Sequence, residues 1–319
     1  MKLKLMATGV AALAAGLFSI SAAAAYPDKP VTVICPWAAG GGTDLLLRAL
    51  SKEAEKYLGQ TINVVNQTGG GGAIGHNAIR AARPDGYTVG MITFELNSLP
   101  PQGLVNFTWK DFDPLMLLNA DPAALTVPKG APYSTVPAFV EYARAHPDEI
   151  SIGNSAPGSV WHIAAGLTAE ATGIKVKHVP FNGAQPAVTA LVGGHIQAVA
   201  VSVAEVRGQA QAGALKILGV MANERDKVFP DVPTFKQQGV DVAFFTWRGL
   251  ALPKGVPAGV KAKITDAYKK AFDSREFQDF AAKASLNLEY KNGADFAKFL
   301  EQNYKDVEAV MKGLGLTKK

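Results

Sequence analysis

Short apolar runs alternate along this chain with glycine-rich loops and amphipathic helices, and that alternation limits the fold more than any other feature. "VTVIC" leads into "PWAAGGGT" and then into "DLLLRALSKEAEKYLG", where Leu46, Leu47, Leu50, Ala54, Tyr57 and Leu58 fall near one helical face and Gly59 is the stop. Next come "INVVN", the loop "QTGGGGAIG", a short helix "HNAIRAA", the turn "PDG" and the strand "YTVGMIT". Strand, helix, strand, helix, strand in this order predicts a parallel sheet with both glycine loops at carboxyl ends of strands, the edge where open sheets bind ligands. The plan returns in "ISIGN"/"SAPGS"/"VWHIAAGLTAEATG", in "VKHVPF"/"NGAQ"/"PAVTALVGG", and in "IQAVAVSV" with its helix "AEVRGQAQAG" and strand "LKILGVM". Two more amphipathic helices, "VKAKITDAYKKAFDS" and "GADFAKFLEQNYKDVEAVMKGLG", flank "LNLEY". The expected class is α/β, with two lobes, each a mostly parallel sheet flanked by helices.

An internal echo bears on the boundary. "ALTVPKGAP" (124–132) and "GLALPKGVP" (249–257) share one pattern, and each joins an apolar strand to a following helix. They read as the two strands by which the chain crosses between lobes. A discontinuous first lobe of residues 26–122 plus 247–319, a second lobe of 123–246, and hinge strands near 115–127 and 243–252 follow from that reading. Two such crossings make a clamp that closes by small dihedral changes.

The first 25 residues combine Lys2 and Lys4, an apolar alanine-rich stretch and an A-x-A site before Tyr26, the pattern of a cleavable signal peptide. As a membrane anchor the stretch falls short of the ~20 residues that span a bilayer. Without a twin arginine the expected route exports an unfolded chain, and this weighs against a nucleotide enzyme. The single cysteine, Cys35, can form no intramolecular disulfide and belongs to an apolar strand, so the fold must rest on its core. Without Lys2 and Lys4 the 32 basic residues become 30 against 27 acidic ones, and the C-terminal lysines are interleaved with acids, as in "KKAFDSREFQDF". That is a solvated face; no nucleic-acid partner is expected.

Catalytic and cofactor motifs are poorly supported. Gly70, Gly72 and Gly75 match G-x-G-x-x-G after a strand, with Glu95 twenty residues on, but Asn66, Gln67 and Thr68 separate the strand from the glycines. His76 and Asn77 stand where a P-loop needs Lys and Ser/Thr, and Pro157 stands where a nucleophile elbow needs glycine. The histidines His76, His146, His162, His178 and His195 have no metal-ligand spacing, so neither metal nor cofactor is expected. His162, at a helix start, either meets a ligand or packs within its own lobe. "NQT" and "NFT" carry meaning only in a eukaryotic secretory pathway.

What remains is a set of loops at helix starts: Gly40 to Thr43, Gly69 to Gly72, Ala156 to Ser159 and Asn182 to Ala184. A helix start carries unpaired N–H groups and about half a positive charge, so it can hold a carboxylate without an arginine. Asp44 is expected to complement the dipole of its own helix. Glu205 either starts a helix or faces a ligand.

Together, "YPDKPVTVICPWAAGGGTDLLLR", "VVNQTGGGGAIG", "PDGYT", "VPFNGAQPAVTALVGG", "QAQAGALKILGVM" and "FPDVPTFKQQG" resemble the Bug-type extracytoplasmic binding receptors of tripartite tricarboxylate transporters, over nearly the whole chain after Ala25. The resemblance implies a two-lobed periplasmic binding protein of the Venus-flytrap, type II-like kind. Such a monomer delivers a small organic carboxylate to an integral membrane permease of two subunits. Carried onto this sequence, the ligand-binding positions are Trp37, Ala38, Ala39, Gly40, Gly41, Gly42, Thr43 and Asn66 in the first lobe. In the second they are Ser155, Gly158, Ser159, Phe181, Asn182 and Gly183, with His162 and Ser202 added as candidates beside them. Trp37 stands where relatives often have phenylalanine; if it and Trp161 both face the cleft, an aromatic carboxylate becomes plausible. The rival readings are an exported α/β enzyme or dinucleotide-binding protein, and a ligand sensor feeding a two-component kinase.

Overall fold

The structure is a computed structural model that describes residues 26–318; the signal-peptide reading falls outside them. Strand β1 (Val31–Cys35), helix α1 (Gly42–Leu58), β2 (Ile62–Asn66), α2 (Ala73–Arg80), β3 (Thr88–Thr93) and the single turn α3 (Glu95–Ser98) open the first lobe. The long strand β4 (Phe112–Pro128) leads to α4 (Val136–Ala145), β5 (Ser151–Asn154), α5 (Val160–Thr172), β6 (Lys177–Pro180), α6 (Ala184–Val192), β7 (Ala198–Ser202), α7 (Val203–Gln211) and β8 (Leu215–Val220) of the second. The return strand β9 (Phe245–Pro253) brings the chain back to α8 (Ala258–Asp273), α9 (Arg275–Lys283), β10 (Leu288–Asn292) and α10 (Gly293–Gly313).

The sheets are mixed. Each lobe has a parallel trio, β2-β1-β3 in the first and β6-β5-β7 in the second, as the strand–helix alternation demands. The inner strands β9, β10, β8 and β4 run antiparallel to their neighbours. Strand β4 belongs to both sheets: residues Phe112 to Pro122 pair with β9, and Ala123 to Thr126 pair with β7. The chain passes between sheets at Pro122 and Phe245, which are register partners. The echo segments start beyond that point, where "LTVP" pairs with β8 and "LALP" with the first residues of β4. Each echo is the outer end of its strand and the turn into a helix, α4 or α8.

Helix α1 shows why these sequences fold as they do. Its apolar positions three and four apart place Leu46, Leu47, Leu50, Ala54 and Leu58 in the core, and Gly59 ends it with the left-handed φ of 76°. Each fully buried leucine contributes about 1.5–3 kcal/mol. Cys35 is fully buried, and burial pushes its thiol up to about 12, so it is an inert core residue. Helix α9 lies in the segment read as a solvated face; it turns only Phe277 and Ala281 fully inward. Among the described residues no helix is long and apolar enough to cross a membrane.

Candidate functional site

The loop after β1 is held from beneath. The Gly40 amide donates to Asp44 Oδ2 at 2.9 Å, Arg48 Nε to Asp44 Oδ1 at 3.0 Å, and Asn66 Nδ2 to both Asp44 Oδ1 and the Trp37 carbonyl at 2.8 and 2.9 Å. Burial opposes ionisation of Asp44, but the hydrogen bonds from Arg48, Gly40 and Asn66 outweigh it and hold the carboxyl below its ordinary value. Asp44 is therefore committed to shaping the loop. The N-cap of α1 is Gly41, which offers no capping side chain.

Helix α6 of the second lobe begins the same way. Its N-cap is Gly183, at a φ of 122° that disfavours any side chain, and again no side chain caps the helix. A Cβ at Gly183 would lie 3.6 Å from Ala38, and one at Gly40 would lie 3.8 Å from Gln185 Cγ. Two glycine-capped helix starts, one from each lobe, thus meet across a cleft lined by Trp37, Ala38, Gly41, Gly42, Thr43, Ala184 and Gln185. Unpaired N–H groups at such ends attract negative charge.

Two other helix starts on the cleft are satisfied by the protein. At α5, the Ser159 hydroxyl accepts from the His162 amide at 3.4 Å. The Val160 amide reaches across to Glu95 Oε1 of the first lobe at 3.1 Å. Glu95 Oε2 accepts from Thr93 Oγ1 at 2.6 Å, and Thr93 Oγ1 accepts from the Trp37 indole at 3.2 Å. Burial raises the Glu95 carboxyl above its ordinary value despite these bonds. At α7, Ser202 and Glu205 form a capping box, with the Ser202 amide donating to Glu205 Oε2 at 3.1 Å.

Arg248, on β9, ties these parts together while almost wholly buried. Its Nη1 donates to Asp121 Oδ2 at 2.6 Å, its Nε to Thr43 Oγ1 at 2.8 Å, and its Nη2 faces Glu205 Oε1 at 3.5 Å. Burial pushes Glu205 up to about 7 and raises Asp121, in both cases against the pull of Arg248. Ser155, Thr93, Glu95, Val160, Trp161, Glu205, Thr246 and Arg248 complete the lining.

Of the residues named from sequence, the cleft therefore gathers Trp37, Ala38, Gly41, Gly42, Thr43 and Ser155, with Gly183 against Ala38. Ala39 and Gly40 are exposed at its rim, and Asn66 braces the loop from behind. Ser159 and Ser202 serve as caps. His162 Nδ1 accepts the Gly158 amide at 2.8 Å and its ring meets His178 at 4.3 Å, so it turns into its own lobe, where burial pushes it down to about 4. Gly158 faces Gln102 of the first lobe. Phe181 and Asn182 line a wider groove that also includes Gly71 and Leu104. Sequence reasoning passed over Arg248, Thr93, Gln185 and Thr246, and it weighed Glu95 only as a ribose partner. A lone arginine inside the apolar strand "FTWRGLALP" was the available signal.

The glycines of the G-x-G-x-x-G match have a packing explanation. A Cβ at Gly75 would strike the backbone of Pro36 and Gln67 at 2.6 and 2.7 Å, so glycine lets α2 press against the first loop. Among the described residues no group of three metal-ligating side chains occurs.

The model of a family described as "Tripartite tricarboxylate transporter family receptor" matches residues 46–316. Protein BugT of Bordetella pertussis is 27% identical over 285 residues, 87% of each chain. A TctC solute-binding protein from Polaromonas, solved with no ligand, is 38% identical, with a TM-score of 0.66 over 90% of this chain and 99% of its own. MatC of Rhodopseudomonas palustris, solved with bound malate, is 27% identical, yet superposes with a TM-score of 0.84 over 89% of this chain and 99% of its own.

Proposed function

This chain belongs to the tripartite tricarboxylate transporter receptor family, a family of solute-binding receptors and not of enzymes, and from that premise we propose that it is a periplasmic receptor for a small organic carboxylate. The single observation that carries the ligand class is the pair of glycine-capped helix starts, α1 and α6, facing each other across the cleft. A carboxylate placed between them accepts backbone N–H groups from both lobes. Because the contacts come from both sides, they exist only in the closed form, and ligand binding favours closure by that difference in affinity. In this reading the lobes are residues 26–122 plus 247–319 and 123–246, hinged near 115–127 and 243–252. The receptor acts as a monomer and hands its ligand to a two-subunit membrane permease.

The shape comparison supports closure around a ligand. The Polaromonas protein is the more similar in sequence but superposes less well than the malate-bound one, the pattern expected when hinge angle, not fold, separates them. The test is a thermal-shift and calorimetric screen of the protein from Tyr26 onward against small carboxylates and uncharged or cationic controls. A carboxylate present at 100 times its dissociation constant adds about 2.7 kcal/mol of stability, which a melting curve resolves. Stabilisation by sugars or cations and by no carboxylate overturns the proposal.

A further inference from the structure

Helix α5, in the second lobe, is gripped directly by side chains of the first. Its Val160 amide donates to Glu95 Oε1 at 3.1 Å. Gln102 Nε2, held by the Ser98 carbonyl at 2.9 Å, lies 3.5 Å from the Gly158 carbonyl. Glycine at 158 permits that approach, because a Cβ there would fall 2.1 Å from Gln102 Oε1. Two turns further along, α5 meets the far end of the chain. A Cβ at Gly166 would lie 3.2 Å from Leu314 Cδ1.

Leu314 opens a short tail, residues 314–318, that folds back from the end of α10. The Leu314 amide donates to the Val310 carbonyl at 3.0 Å, the Leu316 amide to Met311 at 2.8 Å, and the Lys318 amide to Pro101 at 2.9 Å. All three anchors belong to the first lobe. The apolar side chains face the other way: Leu314 and Leu316 pack on the cluster that holds Trp161 and Ile163 of α5, and Leu316 shares a groove with Pro157 and Phe181.

We infer that this tail is a strap: together with Glu95 and Gln102 it holds α5 against the first lobe, so that closure of the clamp is partly stabilised before a ligand arrives. The inference takes the lobes and the hinge from the proposed function and nothing from its ligand assignment. The strap's hydrogen bonds lie within one lobe and survive opening. Its leucine contacts with the second lobe do not, so a hinge swing that draws α5 away exposes apolar surface. Because these contacts are blind to what the cleft holds, they raise affinity for every ligand by the same factor, through the fraction of molecules already competent to bind. Discrimination between ligands is left to the open starts of α1 and α6.

The test needs no ligand. Cys35 is wholly buried, so spin labels attach only at Lys52→Cys on α1 and Thr189→Cys on α6, both exposed positions, and electron–electron double resonance reads the distances between them. The otherwise unaltered chain should show a major short-distance population. Ending the chain after Gly313, Leu314→Ala, and Gly166→Leu, which pushes Leu314 off α5 from the opposite lobe, should each lower the ratio of short to long distances about fivefold, with circular dichroism unchanged. One distance distribution shared by the unaltered chain and the variants overturns the strap. It leaves the carboxylate reading standing, since the thermal-shift screen decides that separately. If the shortened chain fails to fold, Leu314→Ala and Gly166→Leu still decide.

Discussion

Four of the strand-to-helix junctions that border the cleft, those opening α1, α5, α6 and α7, are built in two ways. At α1 and α6 the N-cap is glycine and no side chain caps the helix. At α5 and α7 it is serine, and the amides there are bonded by Ser159, Glu95, Ser202 and Glu205. The N-cap backbone is extended at Gly41, Ser159 and Ser202 and has a positive φ at Gly183; what divides the junctions in two is whether the protein answers its own unpaired amides. A serine cap stabilises its helix and closes that end to ligands. A glycine cap forgoes the stabilisation and keeps the amides available.

Three substitutions test how firmly this division holds. Arg248 joins the two kinds, since it grips Thr43 at the open start of α1 and faces Glu205 at the closed start of α7. Arg248→Met leaves Asp121 and Glu205 buried without their cation and is expected to cost about 3–5 kcal/mol of stability, read by urea or thermal unfolding. Gly42→Val should act on binding instead. Its Cβ would fall 3.1 Å from Arg248 Nη2 and 3.2 Å from Glu205 Cγ, tighter than ordinary contact, so those side chains must shift before the lobes close, while the helical backbone tolerates valine. The expected loss of ligand affinity is about 100-fold, or about 2.7 kcal/mol, with a smaller loss of stability than in Arg248→Met. Ser159→Ala should do the reverse, losing about 1 kcal/mol of stability with its cap and altering affinity less than twofold. If Ser159→Ala weakened binding as much as Gly42→Val, the distinction between open and answered junctions would fail.

Much of this was legible in the chain. The strand–glycine–helix alternation marks β1 to β3 and β5 to β8 because period and punctuation are local properties. The first glycine loop could be placed at the site for the same reason. The partners across the cleft could not, because Arg248 lies 205 positions from Thr43 and 127 from Asp121. Nor does sequence say which helix starts the protein fills itself. "SAPGS" and "PFNGA" look alike as loops, yet Glu95, far from either in the chain, bonds an amide at the first and leaves the second alone. His162 went the other way, turned inward by the Gly158 amide and His178.

Strand β4 has a mechanical meaning beyond its place in the topology. One unbroken run of 17 residues is hydrogen-bonded into both sheets, and its partner β9 pairs with it, through two register shifts, up to the crossing. Sliding one lobe past the other would break those ladders; swinging about the crossing leaves them whole. Under the proposed hinge, the molecule works as a pair of calipers with one pivot, its jaw tips the open ends of α1 and α6. The gap at which the jaws come to rest measures the length of what lies between them, so a solute one methylene too long would be sensed as an angle at Pro122 and Phe245, remote from any atom that touches it.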